Sequence, residues 1–152
     1  MILRPQVSDL KAIGYYTGRL IIGLSLTMII PLLVSLVSME WNPALDFIIG
    51  LTSSLILGFV LLLACYTTRE LTWTQGMVVV SLSWILVALL GAIPLYMSGH
   101  WGSFLDAVFD SVSGYATAGL TLVQDLDHLS NGHNMWRHLM MYLGGQGIVV
   151  IG

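Results

Sequence analysis

Charged residues are scarce in this sequence. Only 9% of its 152 residues are charged and 57% are hydrophobic, whereas an average soluble domain carries about 25% charged residues. The composition therefore excludes an ordinary soluble domain and indicates an integral membrane protein surrounded by lipid. The net charge is −3 and no basic patch is present, so the sequence gives no indication of nucleic-acid binding.

Cysteine and signal-peptide features are lacking as well. Cys65 is the single cysteine, so an intrachain disulfide is excluded and the redox state of the compartment cannot be inferred. No small-residue cleavage site follows Met39, and the apolar run before it is too long for a signal peptide. We therefore interpret this first apolar run as a membrane span.

Three long uncharged runs are each long enough to cross a bilayer. They predict membrane helices at Leu20–Met39, roughly Phe47–Tyr66 and roughly Gly76–Met97. Pro31 and Pro94 are expected to bend the first and the third helix, because proline removes a helical hydrogen bond.

Two short signals accompany the first spans. Gly14 and Gly18 have the spacing of a small-xxx-small motif, which permits close packing of helices. Residues 40–43, with the sequence EWNP, predict a turn with an interfacial tryptophan.

The stretch SFLDAVFDSVSGYATAGLT, residues 103–121, predicts a helix too short to cross a membrane. Ser103 and Asp106 match the capping signature that starts a helix, and apolar residues follow at helical spacing. Gly114 is expected to end the helix with a positive φ angle. About ten helical residues extend roughly 15 Å, half of a hydrocarbon core of about 30 Å. The stretch therefore predicts a re-entrant helix.

The loop after this helix, Thr117–Thr121, has the features of a cation-coordinating loop. The negative end of a helix dipole favours a cation there, and backbone carbonyls can replace the water shell of the ion. Gly119 lets consecutive carbonyls point the same way, and Thr117 and Thr121 offer hydroxyl oxygens. Asp110 is expected to support the loop by hydrogen bonds rather than to contact the ion. An ordinary polar turn between two membrane helices is the alternative interpretation.

The basic residues predict the orientation in the membrane. With a cytoplasmic N-terminus only Arg137 lies outside, which agrees with the positive-inside rule. The cytoplasmic basic residues are then Arg4, Lys11, Arg19 and Arg69. The same orientation makes the re-entrant helix dip from the outer face and gathers acidic residues there, either as a vestibule that concentrates cations or as solvated loop residues. These residues are Glu40, Asp46, Asp125 and Asp127.

The last part of the sequence predicts a polar loop and then a further helix. The loop is expected over Leu122–Asn134, Trp136 and Tyr142 mark a membrane interface, and the apolar segment begins near His138. The fifteen residues after Arg137 extend about 22 Å, short of about 30 Å. We therefore expect the sequence to stop within a helix, as the N-terminal portion of a longer protein or as a truncated product.

Histidines and glycines in this last part each permit two interpretations. His128, His133 and His138 lie five residues apart, which suits interfacial hydrogen bonding better than a metal site. The segment Gly144–Gly147 is expected to pack closely against its neighbour, with a hinge as the alternative.

The segments FDSVSGYATAGLT and WRHLMMYLGGQGIVVIG closely resemble the first pore segment of TrkH-type potassium transporters. In this superfamily of Trk, Ktr and plant HKT proteins, one chain carries four M1–pore helix–M2 repeats around a single pore, and the TrkH branch adds two helices before the first repeat. The resemblance implies an all-α integral membrane fold. It makes residues 1–70 the added N-terminal two-helix segment and residues 71–152 the first M1–pore helix–filter–M2 repeat, truncated within M2.

The resemblance also implies roles for residues of the loop. It makes the loop the first of four selectivity-filter strands and Gly119 the filter glycine, which the family associates with potassium rather than sodium. The ion-binding residues are then Thr117, Ala118, Gly119, Leu120 and Thr121, with potassium at the first three, and the supporting residues are Asp110 and Gly114. Ala118 departs from the threonine or valine that is frequent in the family, and repeats two to four are missing.

The implied function is potassium uptake across a bacterial inner membrane by a multi-pass protein that is not an enzyme and has no cofactor besides the transported ion. The family further implies a homodimer and a cytosolic nucleotide-binding regulatory subunit. Two alternatives stay open. One is a haem-bearing membrane subunit of a respiratory complex, ligated by His100 and His138, and the other is an inactive membrane fragment.

Overall fold

All regular structure in the described part of the chain is helical. The computed structural model describes residues 7–151, and the surroundings of the side chains from residue 8 to residue 146. A short 3-10 turn, Leu26–Met28, separates the first two helices. The helices are α1 (Val7–Ser25), α2 (Ile29–Val37), α3 (Trp41–Ala64), α4 (Trp73–Met97), α5 (Phe104–Tyr115) and α6 (Asn131–Ile151).

Three helical segments of the described residues are long and apolar enough to cross a membrane. They are Ser8–Val37, Trp41–Ala64 and Trp73–Met97. The predicted integral membrane class and its three spans are thus confirmed, but the first helix begins well before Leu20. Hydropathy locates the apolar core of a span, whereas helical hydrogen bonds continue into the polar end of the segment. Arg4, one of the basic residues used for the orientation, lies outside the described residues.

The two helix prolines have different effects on the backbone. The 3-10 turn Leu26–Met28 ends three residues before Pro31, which cannot donate a hydrogen bond to the preceding turn. The predicted disturbance of the first span is therefore a local change of helix type. At Pro94, α4 continues without interruption, and α6 uses the neighbouring carbonyls. The Trp136 indole donates to the Gly91 carbonyl at 3.0 Å, and the His133 Nε2–H donates to the Pro94 carbonyl at 2.9 Å.

The turn predicted at residues 40–43 is wrong by a few positions. Helix α3 already begins at Trp41, so Pro43 lies in its first turn. Proline is tolerated there because the first N–H groups of a helix have no partner within the helix. The chain instead reverses just before Glu40, where Met39 has a φ angle of 59°.

Glycines bring α1 and α3 into close contact. A Cβ atom on Gly18 would lie 2.7 Å from the Gly58 carbonyl oxygen, and one on Gly58 would lie 2.6 Å from Cγ1 of Ile22. At Gly14, an added Cβ would lie 2.5 Å from the Cys65 sulfur. The close packing predicted from the spacing of Gly14 and Gly18 is confirmed.

Helix α6 begins seven residues before His138, the predicted start of its apolar segment. The Ser130 hydroxyl accepts the His133 N–H at 3.2 Å. The Glu40 carboxylate accepts N–H groups of Asn131 at 3.1 Å and Gly132 at 3.4 Å. Because α6 comprises 21 residues, the estimate of fifteen helical residues is wrong, as is the extension of the polar loop to Asn134.

Trp136 does not mark a membrane interface. Its side chain is fully buried, and its ring lies 6.4 Å from the ring of Phe47. The indole finds its acceptor at Gly91 in the interior, since a buried tryptophan N–H needs a partner. Tyr142, the other predicted marker, is exposed.

Helix α5 ends near the midpoint of α4. The Tyr115 ring lies 6.1 Å from the ring of Trp84, and a Cβ atom on Gly91 would lie 3.4 Å from the Tyr115 ring. Trp84 lies in the middle of the 25-residue α4 and Gly91 lies closer to its C-terminal end, while α5 has 12 residues. The short helix therefore carries the chain only about half of the way along its neighbour.

Candidate ion-binding loop

The start of α5 follows the predicted capping signature. The Ser103 hydroxyl accepts the Asp106 backbone N–H at 3.2 Å, and Asp106 lies in the first turn. A carboxylate in the first turn complements the positive end of the helix dipole. The local sequence thus fixes where the short helix begins.

The end of α5 lies beyond the predicted stop at Gly114, which is an ordinary helical position. The Ala118 N–H donates to the Ser113 carbonyl at 2.9 Å, and the Thr117 N–H donates to the Gly114 carbonyl at 2.9 Å. These two bonds form a Schellman motif, whose left-handed residue is Thr117. Gly114 instead lies in a tight contact with α6, because a Cβ atom there would lie 3.1 Å from the Met140 Cβ.

The loop contains two residues with left-handed backbone conformations. Thr117 has a φ angle of 57° and Gly119 one of 72°. Glycine adopts this region without strain, but a β-branched residue in it costs about 1–3 kcal/mol. Strain of this kind is found mostly at functional sites, where surrounding contacts enforce it. Met39, just after α2, has a comparable φ angle of 59°, so the conformation of Thr117 supports a functional role only together with its position in the exposed loop.

The carbonyl groups of the loop are available to a ligand. Residues 116–122 are exposed, and no hydrogen bond from any described residue reaches the carbonyl oxygens of Thr117, Ala118 or Gly119. Free carbonyl oxygens are the ligands that replace the hydration shell of a potassium ion in selectivity filters. The loop therefore presents the oxygens that cation coordination needs.

Asp110 is the centre of a buried network beneath this loop. Its side chain is 4% exposed, and Oδ2 accepts hydrogen bonds from the Trp101 indole at 2.8 Å and from the Thr121 hydroxyl at 2.7 Å. The Arg137 Nε lies 3.7 Å from the same oxygen. The expected hydrogen bonding of Asp110 to the loop is thus present, and its consequence for transport stays a prediction.

The Thr121 hydroxyl is turned toward Asp110. It donates to the carboxylate and accepts the Val123 backbone N–H at 3.2 Å. The hydroxyl is therefore part of the support of the loop. Leu120 lies between Gly119 and Thr121 with its side chain exposed.

Helix α6 supports the loop from behind through glycines. A Cβ atom on Gly144 would clash with the backbone of Tyr115 at the end of α5. Next to it, Gly145 has more space, with the nearest atom of Thr117 3.8 Å from an added Cβ. The close-packing interpretation is confirmed at Gly144, while the surroundings of Gly147 lie outside the described residues.

Trp101 is the supporting residue that sequence reasoning missed. It is 3% exposed and lies in the loop before α5, nine residues from its acceptor Asp110. No helical or strand periodicity connects the two positions. The available signal was chemical, since a buried indole needs an acceptor and Asp110 is a carboxylate within the predicted membrane segment.

The acidic residues expected at an outer vestibule are mostly bound to neighbours. Glu40 accepts hydrogen bonds at the start of α6, and the Asp46 carboxylate lies 3.4 Å from His133 Nε2. The hydrogen bond from the His128 side chain lowers the pKa of Asp125, and these two side chains are 2.8 Å apart. A vestibule role is therefore better suited to exposed Asp127 than to Glu40.

The histidines serve as hydrogen-bonding groups. His128 bonds to Asp125, His133 to Ser130 and Pro94, and the His138 Nδ1–H donates to the carbonyl one turn earlier in its own helix at 2.8 Å. No group of three potential metal ligands is found where side chains are described. The hydrogen bonds of these three histidines are the kind that the hydrogen-bonding interpretation expects.

Known proteins resemble this chain over most of its length. Residues 44–152 match the family described as TrkH, cation transport protein. The chain is 35% identical to an uncharacterized cation transporter of Methanocaldococcus jannaschii, over 99% of this chain and 31% of the relative. It is 37% identical to the Trk system potassium uptake protein TrkI of Halomonas elongata, over 85% of this chain and 26% of the relative. For the Trk system potassium uptake protein TrkG of Escherichia coli, the identity is 29% over 96% of this chain and 30% of the relative.

These relatives are considerably longer than the chain, which spans about a third or less of their length. The family match nevertheless covers the second and third spans, the short helix, the loop and α6. Its members transport cations and are not enzymes. The chain belongs to the TrkH family of cation transport proteins.

Proposed function

We propose that this chain contributes the first of four potassium-coordinating strands of a Trk-type potassium uptake transporter. The observation that carries the proposal is the exposed loop of Thr117, Ala118 and Gly119, whose carbonyl oxygens accept no hydrogen bond from the described residues. The two Trk system relatives named above are potassium uptake proteins, which supports potassium as the ion.

The mechanism follows from the position of the loop. Helix α5 directs the negative end of its dipole at the loop, which favours a partly dehydrated cation. Carbonyl oxygens of Thr117 to Thr121 replace water around the ion, and the strands of the other repeats complete its coordination. The ion then moves down its electrochemical gradient without a cofactor. In this arrangement, residues 71–152 form the pore repeat and residues 1–70 the preceding two-helix segment.

The proposed location is a bacterial inner membrane, with a cytoplasmic N-terminus. The support is the distribution of basic residues, because Lys11, Arg19 and Arg69 then lie on the cytoplasmic side and Arg137 on the other. In this orientation α5 dips from the outer face, and its loop receives cations from outside the cell.

The proposed partners are a second copy of the protein and a cytosolic nucleotide-binding regulatory subunit. Both rest on resemblance to the family alone. The haem-bearing alternative receives no support, since the family is one of cation transporters. In addition, the His138 ring is exposed and bonded to its own helix.

Potassium uptake by the full open reading frame that encodes this chain tests the proposal. The reading frame is expressed in bacteria that lack their own potassium uptake systems, and uptake of potassium and sodium is measured. We expect potassium-dependent growth and uptake, with a clear preference for potassium. No uptake by a well-expressed, membrane-inserted protein overturns the proposal.

A matched pair of glycine variants locates the selectivity. Gly119 and Gly99 both have positive φ angles, 72° and 75°, and neither has a close neighbour at the Cβ position. We expect Gly119→Ser to reduce the preference for potassium over sodium and Gly99→Ser to leave it unchanged. Equal preferences in both variants contradict a filter role for this loop.

A further inference from the structure

We propose that Asp110 and Arg137 form a buried charge pair whose balance sets the cation affinity of the adjacent loop. The inference rests on the proposed function, since it concerns the same loop. It assigns a positioning role to Arg137, which belongs to α6 and not to the loop itself.

The pair is largely shielded from water, with Asp110 buried and Arg137 slightly exposed. Arg137 Nε lies 3.7 Å from Asp110 Oδ2, and the two side chains are 16% and 5% exposed. Nε is buried without a hydrogen-bond partner, so the carboxylate acts on it as a charge and not as an acceptor. Buried charges of opposite sign are retained together because either one alone is costly.

The pair lies directly beside the proposed ion-binding loop. Asp110 and Arg137 line one small cavity together with Gly114, Gly119 and Leu120. The Asp110 carboxylate is held on the loop side by the hydroxyl of Thr121. In a poorly hydrated interior, a unit charge influences a neighbouring ion far more strongly than it does in water.

The sign of the effect follows from the neutrality of the pair. While both charges are present, their effects on an ion in the loop partly cancel. Removing the charge of Asp110 leaves the Arg137 guanidinium uncompensated, and a positive charge repels the cation. Removing the charge of Arg137 leaves the carboxylate uncompensated, and a negative charge attracts the cation. The two single changes therefore act in opposite directions.

Charge-neutralising variants of the full reading frame test this balance through the apparent KM for potassium. Asp110→Asn keeps an oxygen that accepts from Trp101 and Thr121 but loses the charge. We expect it to raise KM about four- to sixteenfold, taking the charge to lie on the order of 10 Å from the ion at an effective dielectric constant of about 20–40. Arg137→Gln is expected to lower KM, and the double variant to return within about twofold of the parent. Arg137→Lys keeps the charge and is expected to keep KM.

The control is Asp106→Asn, which removes a carboxylate one turn earlier in the same helix. We expect a change of about twofold or less, because that residue is closer to water and its charge is screened.

Single variants that shift KM in the same direction, or a double variant whose KM is no closer to the parent than that of the worse single variant, overturn the inference and indicate a merely structural network. If Asp110→Asn fails to insert, Arg137→Gln decides alone, and an unchanged or raised KM overturns the inference. A parent protein without potassium uptake contradicts the proposed function instead.

Discussion

The contact between α1 and α3 and the support of the proposed ion-binding loop depend on different kinds of interaction. Glycines and apolar side chains join α1 to α3, with an added Cβ on Gly18 only 2.7 Å from the opposite backbone. Beneath the loop, buried polar groups around Asp110 make directed hydrogen bonds. Van der Waals packing in a membrane fixes how closely two helices approach, whereas a bond to a charged group also fixes direction. The second kind of contact is needed where an oxygen must face an ion.

Helix α6 connects the N-terminal helices to the loop region. At its first turn, Glu40 accepts hydrogen bonds from Asn131 and Gly132, and a Cβ atom on Gly132 would clash with the Ser35 hydroxyl of α2. Further along, Gly144 touches the end of α5. The N-terminal helices thus hold the start of the helix that supports the loop.

The largest effect is expected at Gly144, where α6 contacts the backbone at the end of α5. Gly144→Ala places a methyl group against the Tyr115 carbonyl, and relief requires α5 and α6 to separate. We expect a loss of about 3 kcal/mol or more in stability, seen as a low yield of monodisperse protein in detergent. Gly145→Ala is the control, since the nearest atom is 3.8 Å from its added Cβ. Equal yields of both variants contradict the close contact.

Removal of the Asp110 side chain is expected to have the second-largest effect. Asp110→Ala leaves the buried Trp101 indole and the Arg137 charge without their partner, and such losses cost about 2–5 kcal/mol. Potassium uptake or protein yield should fall strongly. Glu70→Ala, in the exposed segment between α3 and α4, provides the comparison and should resemble the parent. Uptake and yield at parental levels in Asp110→Ala would contradict the supporting role of Asp110.

Changes between α1 and α3 should lower stability without altering the ion preference. Gly18→Ala crowds the Gly58 carbonyl and is expected to cost about 1–3 kcal/mol. Gly23→Ala, with nothing within 4 Å of its added Cβ, is the matched control. The measurements are thermal unfolding and the potassium-to-sodium uptake ratio. A changed ratio in Gly18→Ala would show that the packing between α1 and α3 also affects the ion preference.

The smallest effect is expected at the connection between the regions. Glu40→Ala removes the acceptor at the start of α6, a loss of about 0.5–2 kcal/mol for a helix cap. Glu40→Gln retains an oxygen that accepts N–H groups and should lose less. Thermal unfolding in detergent distinguishes the two variants. Identical midpoints for both variants and the parent would contradict the capping role of Glu40.

Several features of the loop region were predictable from sequence because they depend on neighbouring residues. The capping serine, the half-length of α5 and the bonding of Asp110 to its surroundings follow from local patterns and from the cost of a carboxylate in a membrane segment. The predicted stop at Gly114 was wrong, because the surroundings of that residue come from another helix. That glycine accommodates Met140 of α6, and left-handed Thr117 closes the helix instead.

The sequence by itself determined the membrane class, the three spans and the family, since hydropathy, glycine spacing and the loop motif are carried by consecutive residues. Only the tertiary structure decided where α6 begins, because its cap comes from Glu40, 91 residues away. It likewise decided that Trp101 and Arg137 converge on Asp110 and that Trp136 is buried. Partners of a buried polar group are chosen by proximity in the fold, and linear spacing does not encode that proximity.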